Sequence, residues 1–342
     1  MFGIIDLIIL NNNQEVKQMC TAIHLNSKHH FFGRNFDVER TYGENVIIIP
    51  ADYPVNLKYN NTSKTKSTIL GIGVVSQGYP LMFDAINEHG LGVCALRYPD
   101  ANYNKNIENK HNIPSYEFIL YLLYNCSSCS TAINLLQNIN ITSEEFSNEF
   151  KPEPLHWMIC DSESSFVLEC DEKGIRIYEN KIGVLTNGPD FKTQMFNLNN
   201  YKNLTTDNGK TTFSEIIDFN EYSRGMGAIG LPGDLSSMSR FVKAAFTKLN
   251  STNDYINPKQ CVGQFFHILN SVCQQEGCVQ TENNMFDKTL YTSCYDLDNF
   301  NLYYTTYTNH RIIKINPLKL NYNKNEIVKL PLIYDEDILE YI

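Results

Sequence analysis

Short apolar stretches punctuated by turn residues dominate the first hundred positions of the chain. "TAIHL" and "HFFGRNFD" flank the turn-rich "NSKHH", the pattern of a β-hairpin. "NVIIIPADY" and "TILGIGVVS" are rich in β-branched residues, which pack well on a pleated surface. "LMFDAINEHGLGVCALRY" reads as two further strands with "NEHG" as their turn. Residues 96–114, "LRYPDANYNKNIENKHNIP", are polar and bounded by proline, a long loop and a candidate lid or binding loop. The period then changes: "SYEFILYLLYNCSSCSTAINLLQNI" is apolar at helical spacing and predicts two helices with a break near Cys126–Ser130. "LHWMICD", "SFVLECD" and "GIRIYEN" return to strand patterning, and "KIGVLTNGPDF" is a strand running into a Gly-Pro turn. After the glycine-rich "GAIGLPGDLSS", "SMSRFVKAAFTKLN" and "CVGQFFHILNSVC" predict amphipathic helices. "TLYTSCYDL", "NLYYTTYTN" and "RIIKIN" close the chain as strands. Strand blocks, helix pairs and strand blocks again predict a layered α+β protein, with helices covering two sheets packed face to face. No internal repeat or low-complexity linker interrupts this order, so residues 20–342 are read as one domain.

Composition narrows the class. The 342 residues are 42% hydrophobic and 19% charged, enough for a sizeable core. The net charge is −10 and no Lys/Arg cluster offers a footprint for phosphates, so neither nucleic acid nor an anionic membrane is an expected partner. No apolar run reaches the length of a membrane span. "MFGIIDLIIL" is interrupted by Asp6, has no Lys or Arg before it, and leads into "NNNQEVKQM" without a small-residue cleavage site, so it is not read as a secretory leader. Ten cysteines fall at irregular spacing, several inside apolar runs such as "GVCALRY" and "HWMICD". They are read as buried free thiols in a reducing compartment, the cytoplasm. "CSSC" at 126–129 has no second pair at zinc spacing and opens no βαβ unit. His24, His29, His30 and His156 share no ligand spacing, so no metal and no cofactor is expected. Trp157 in "HWM" is read as core.

The candidate chemistry lies in "KQMCTAIHLNSKHHFFGRNFD". With the turn at Lys28, antiparallel pairing puts Cys20 opposite Phe36, with Arg34 and Asp37 within two positions of that point. A guanidinium beside the sulfur favours thiolate, the nucleophilic form. Spacing alone also describes a surface Arg–Asp pair beside a buried cysteine, and does so more readily. The Met19-Cys20 junction changes the balance. If the working chain begins at Cys20, that residue carries a free α-amine with a pKa of about 7.7–8.0. The amine can take the thiol proton and later return one to a leaving amine, so one residue supplies nucleophile and base. An extension ending in Met19 turns the amine into an amide and disables it. Residues 1–19 are therefore read as an extension absent from, or removed in, the active protein.

At this point the chain resembles the choloylglycine hydrolases, the family of bile salt hydrolases and penicillin V acylases. "MCTAIHL", "FFGRNFD", "INEHGLG", "PLHWMICD", "GVLTNGPDF", "SRGMGAIGLPGDLSSMSRF", "FFHILNSV" and "YTSCYDL" follow the family's order and spacing over nearly all of residues 19–342, closest to the bile salt hydrolase branch. The resemblance implies the four-layer αββα sandwich of N-terminal nucleophile hydrolases. It implies Cys20 as nucleophile, Arg34 beside the thiol, Asp37 holding the α-amine, Asn187 in the oxyanion hole and Arg240 as a second site arginine. Read alone, Asn187 is a turn former before Gly-Pro and Arg240 a solvated charge at a helix start. The chain departs from the family where "GLGVCALRYP" places Arg97. Bile salt hydrolases usually carry Asn there and penicillin V acylases Tyr. The Arg97 backbone N–H remains a candidate oxyanion donor, and its side chain either brings a positive charge toward an anionic substrate or swings into solvent. Phe36 is a candidate for packing the steroid. The expected activity is hydrolysis of glycine- or taurine-conjugated bile acids, a linear-amide cleavage of a small-molecule substrate. The alternatives are penicillin V acylase, N-acyl homoserine lactone amidase, acyl transfer to an added amine, and a catalytically silent bile-acid binder. The resemblance also implies a homo-oligomer, a tetramer.

Overall fold

In a computed structural model, described over residues 19–341 except positions 60, 65, 209, 210, 218 and 283, the chain forms two large antiparallel sheets. Residues 1–18, most of the expected extension, lie outside the described residues. The strands before the first helix are β1 (Met19–Asn26), β2 (His30–Val38), β3 (Asn45–Ile49), β4 (Pro54–Leu57), β5 (Asn61–Lys64), β6 (Ile69–Ser76), β7 (Tyr79–Asn87), β8 (Gly92–Arg97) and β9 (His111–Pro114). Helices α1 (Phe118–Asn125) and α2 (Cys129–Leu136) follow. Then come β10 (Ile139–Thr142), β11 (Leu155–Cys160), β12 (Ser165–Asp171), β13 (Gly174–Glu179), β14 (Val184–Leu185) and α3 (Phe191–Asn197). Helices α4 (Ser237–Asn250) and α5 (Pro258–Asn270) precede β15 (Lys288–Asp296), β16 (Asn301–Thr306), β17 (Asn309–Ile315) and β18 (Val328–Pro331).

One sheet runs β14-β1-β2-β15-β16-β17 and the other β13-β12-β11-β8-β7-β6-β3-β18. The second sheet has both faces buried, and its side chains sort by strand alternation. Val46, Ile48, Cys94, Leu96, Met158 and Cys160 face the first sheet. Ile47, Ile49, Val93, Trp157 and Ile159 face α1 and α2. This is why its strands read as unbroken apolar runs. Trp157 is core, 4.7 Å from the Phe118 ring. On the far side α4 and α5 pack on β1, β2 and β15, completing the αββα order. The break between the first two helices falls as expected, and Ser128 and Thr131 form a capping box that starts α2.

Several elements depart from the sequence reading. β3 stops before Pro50, which cannot donate to a ladder, and a separate β4–β5 hairpin follows. The 96–114 loop is not wholly irregular: its end is β9, paired in parallel with β10. The strand expected in "KIGVLTNGPDF" shrinks to β14, and Asp190 then caps α3, which the reading missed. β18 was likewise not expected.

Candidate active site

The β1–β2 hairpin forms in the expected register, with Cys20 opposite Phe36, Ala22 opposite Arg34 and Met19 opposite Asp37. Residues directly opposite share a face, so Cys20, Arg34 and Phe36 point between the sheets. Asp37 points the other way, toward α4 and α5. The hairpin therefore brings all three groups to one end of the strands, on two faces.

A bulge in the facing sheet makes room for Arg34. The β6–β7 register shifts so that Phe83 is left over, and β7 keeps pairing with β8 only from Asp84 onward. Arg34 fills the resulting gap. Its Nη1 donates to one carbonyl from each parted strand, Phe83 at 3.5 Å and Ala95, and its Nη2 donates to the Cys20 sulfur. The guanidinium is 1% exposed and lies 4.9 Å from the Phe36 ring centroid. Burial opposes its charge, but the neighbouring Cys20, Tyr291 and Asp84 outweigh burial and raise its pKa. The Cys20 thiol itself is pushed up, first by burial; Arg34 works against that rise and Asp37 adds to it.

Arg240 and Asn187 bind the backbone of Cys20. Arg240, fully buried on α4, donates from Nη1 to the Cys20 carbonyl at 2.5 Å and to Thr21 Oγ1 at 2.6 Å. Its Nη2 donates to Asn187 Oδ1 at 2.8 Å. The Cys20 N–H donates to the same oxygen at 2.8 Å. Asn187 Nδ2 donates to the Arg97 carbonyl at 2.8 Å. Two donors on one atom and a carbonyl on the other fix which way the amide points. The isolated readings of Arg240 as a solvated charge and of Asn187 as only a turn former are thus replaced by buried contacts at Cys20.

Asp37 accepts from Thr289 Oγ1 at 2.6 Å through Oδ1, while its Oδ2 is buried without a hydrogen-bond partner among the described residues. Burial raises its pKa to about 6, with Arg240, Thr289 and Arg34 acting to lower it. Two expected substrate contacts stand differently. Arg97 presents its carbonyl to Asn187, but strand alternation places its side chain on the helix-side face with Val93 and Ala95. There it is 4% exposed and its Nε lies 3.9 Å from Glu153 Oε2. The guanidinium neither swings into solvent nor shares the sulfur's face. Phe36 is 2% exposed and stacks on Phe83 and Tyr291, at 4.9 and 5.0 Å between centroids, so it is packed wall and not an open contact surface.

The sequence reading missed two supporting groups. Asp84 accepts from Tyr291 and Ser293 hydroxyls at 2.6 Å each and from Tyr295 at 3.0 Å, beside the Arg34 charge. His156 Nε2 donates to the Thr186 carbonyl at 2.7 Å, next to Asn187, while Nδ1 lies 3.3 Å from Glu169 Oε1. The signal for each was a lone carboxylate inside an apolar strand, in "LMFDAI" and "FVLEC".

This cysteine-centred arrangement, on two sheets between helix layers, agrees with a family match to the chain: the choloylglycine hydrolase family of linear amide C–N hydrolases, over residues 20–330. The chain belongs to the choloylglycine hydrolase family. As a member it is an amidohydrolase acting on linear amides. A bile salt hydrolase/transferase of Lactiplantibacillus plantarum is 42% identical over 315 residues, 92% of this chain and 97% of the relative. One from Clostridium perfringens is 37% identical over 325 residues, 90% of this chain and 95% of the relative. The crystal structure of a mutant conjugated bile acid hydrolase from Clostridium perfringens superposes with a TM-score of 0.87 at 35% identity, covering 94% of this chain and 99% of that one. Penicillin V acylase from Agrobacterium tumefaciens shares the fold, with a TM-score of 0.71 at 19% identity over 93% of this chain and 95% of that one.

Proposed function

We propose that this choloylglycine hydrolase cleaves the amide bond of glycine- or taurine-conjugated bile acids, with Cys20 as an N-terminal nucleophile. The substrate class comes from the relatives, which match along nearly their whole length and are named for bile salts. The observation that carries the mechanism is the unpartnered Asp37 Oδ2 at the Cys20 end of β1. A buried carboxylate oxygen without a partner is costly, and an α-ammonium on Cys20 would supply that partner. In this reading residues 1–19 are gone from the working enzyme.

The α-amine takes the thiol proton and the sulfur attacks the amide carbon. The Arg34 guanidinium stabilises the thiolate against burial. The Asn187 amide group and the Arg97 backbone N–H, which shares a strand edge with the carbonyl that Asn187 engages, hold the oxyanion. Collapse breaks the C–N bond, and the departing amine takes the proton from the Cys20 ammonium. Water then cleaves the thioester, releasing the free acid and regenerating the thiol. Losing one oxyanion donor typically costs about 10²–10³ in rate.

The test pairs intact mass with turnover on taurocholate, glycocholate, penicillin V and an acyl homoserine lactone. The expected result is a chain beginning at Cys20, faster on the two bile salts, with a Cys20→Ala variant that releases no taurine or glycine. An active chain with Met19 still attached would overturn the mechanism, and preference for penicillin V or the lactone would overturn the substrate class. The relatives' names also favour a second outcome, transfer of the acyl group to an added amine, seen as new amides when free amino acids are supplied. Self-association, expected as a tetramer, is supported by a concentration of exposed apolar side chains at Phe213, Ile216, Phe219, Tyr222 and Ile229. A reducing, cytoplasmic setting is supported by the free state of all ten cysteines.

A further inference from the structure

A polar cavity lies at the far end of β1 from Cys20. It has a volume of about 200 Å³ and is lined by His24, Ser165, Gly183 and Lys248, with Glu163 and Glu179 among its wall residues. By strand rise, His24 sits about 13 Å along β1 from Cys20. Three of the polar groups are almost wholly buried: His24 and Ser165 are each 4% exposed and Lys248 8%. Among the described residues His24 Nε2 and Ser165 Oγ have no hydrogen-bond partner. Lys248 Nζ donates to the Ile182 carbonyl at 2.9 Å, and among the described residues it makes no ion pair. Buried polar atoms are ordinarily satisfied, and a buried cation is ordinarily paired.

The unmet bonding specifies an occupant. An ammonium with spare hydrogens asks for an anion. A neutral imidazole and a hydroxyl can each accept, so the occupant also gains from carrying a donor. Burial, helped by the neighbouring Lys248, holds His24 down to about 4, so the ring is neutral. Burial lowers Lys248 to about 8, leaving it mostly cationic at neutral pH. Charge then reverses outward: the exposed wall carries Glu163, Glu179 and Lys181, the last 3.4 Å from Glu179, and so keeps one net negative charge. Positive inside and negative outside is the complement of a molecule with an acid at one end and an ammonium at the other.

We propose that this cavity binds a small zwitterion, an amino acid or aminosulfonic acid, with its acid group on Lys248 and Ser165 and its ammonium toward the glutamates. The amine released by the proposed reaction belongs to this class, and only that link rests on the proposed function. The cavity is also joined through the backbone to two parts of the catalytic centre. His24 shares β1 with Cys20, and its N–H donates to the Gly183 carbonyl at 2.9 Å, in the turn leading through β14 to Asn187.

The experiment is calorimetric titration of the full chain carrying Cys20→Ala, which removes turnover, with taurine and glycine. Ethanesulfonate and ethylammonium serve as single-charge controls. The expected result is saturable binding of taurine or glycine, weakened about tenfold or more by Lys248→Met, with each control binding at least about tenfold more weakly. Ser165→Ala deletes only an unpartnered hydroxyl, so it leaves the fold intact and lowers affinity severalfold. Absence of saturable binding overturns the proposal. So does affinity unchanged in both variants, which would place the ligand elsewhere, and so does ethanesulfonate binding as tightly as taurine. Lys248-dependent binding by a protein that hydrolyses no bile salt would uphold the cavity and remove the proposed function. Hydrolysis without such binding would do the reverse.

Discussion

At the scale of single residues the site depends on a cation held in place by groups that never touch the sulfur. Arg34 reaches Cys20 because the Phe83 bulge opens a gap, and Asp84 sits in that gap with three hydroxyls donating to it. Burial raises the Asp84 pKa, and Arg34 is the largest influence pulling it back toward ionisation. Each group thus favours the charged form of the other, and Asp84 acts as a positioning residue for Arg34. In an Asp84→Asn variant the hydroxyl contacts can be rearranged, but the carboxyl group facing Arg34 is lost. The expectation is a protein that folds, with turnover reduced about 10–100-fold and slower thiol alkylation at neutral pH. Equal alkylation rates in variant and parent would reduce Asp84 to a packing role. Little of this was legible in advance. Local spacing put Cys20, Arg34 and Asp37 together, whereas Asn187 and Arg240 arrive from 167 and 220 residues away in sequence. Only the resemblance to a known family connected those two to the cysteine. Arg97 misled because the identity of a side chain does not say which face of a strand it occupies, and here alternation turned it away from the sulfur.

At the scale of elements, long patterned segments were readable and short ones were not. The β1–β2 register followed from the turn position because a slip by one residue would exchange the two faces of a strand buried on both. β9, β10, β14 and β18 hold two to four residues each, too few for a period to show, and are fixed by partners distant in sequence. Pairing between β2 and β15 rests on a close approach at Gly33, in "FFGRNF". A β-carbon added there would lie 2.0 Å from the Ser293 carbonyl oxygen. That oxygen is backbone and cannot rotate aside, so Gly33→Ala must pry the two strands apart next to Arg34. The prediction is a steep loss of soluble yield, or a Tm lowered by several degrees together with lost turnover. A variant with parental Tm and activity would contradict the tight packing of these strands.

At the scale of the whole molecule the buried carboxylates set how stability varies with pH. Burial raises Asp37 to about 6 and Asp287 and Glu117 each to about 7, all above the ordinary carboxylate range. For an acid with a raised folded pKa, the folded state binds more protons than the unfolded state between the two values. Stability is then greatest at or below the unfolded pKa and falls as pH rises through the folded one. His24 acts oppositely: burial lowers it to about 4, so its contribution grows with pH up to its ordinary value. Asp234 is held near 2 by hydrogen bonds from Ser236 and Ser239, and its effect lies below this window. With Asp84, which burial also raises, four carboxylates against one histidine give a net decline between about pH 4.5 and 7, of at least about 2 kcal/mol. Release of the Cys20 amine would place an ammonium by Asp37 Oδ2 and withdraw that residue from the sum, while Glu117 and Asp287 remain. Chemical denaturation midpoints across this range are therefore expected to fall with rising pH in the parent. The fall should be markedly shallower in a Glu117→Gln, Asp287→Asn double variant. A parent whose midpoint climbs from pH 5 to pH 7 would show that these carboxylates are ionised in the folded protein at no cost.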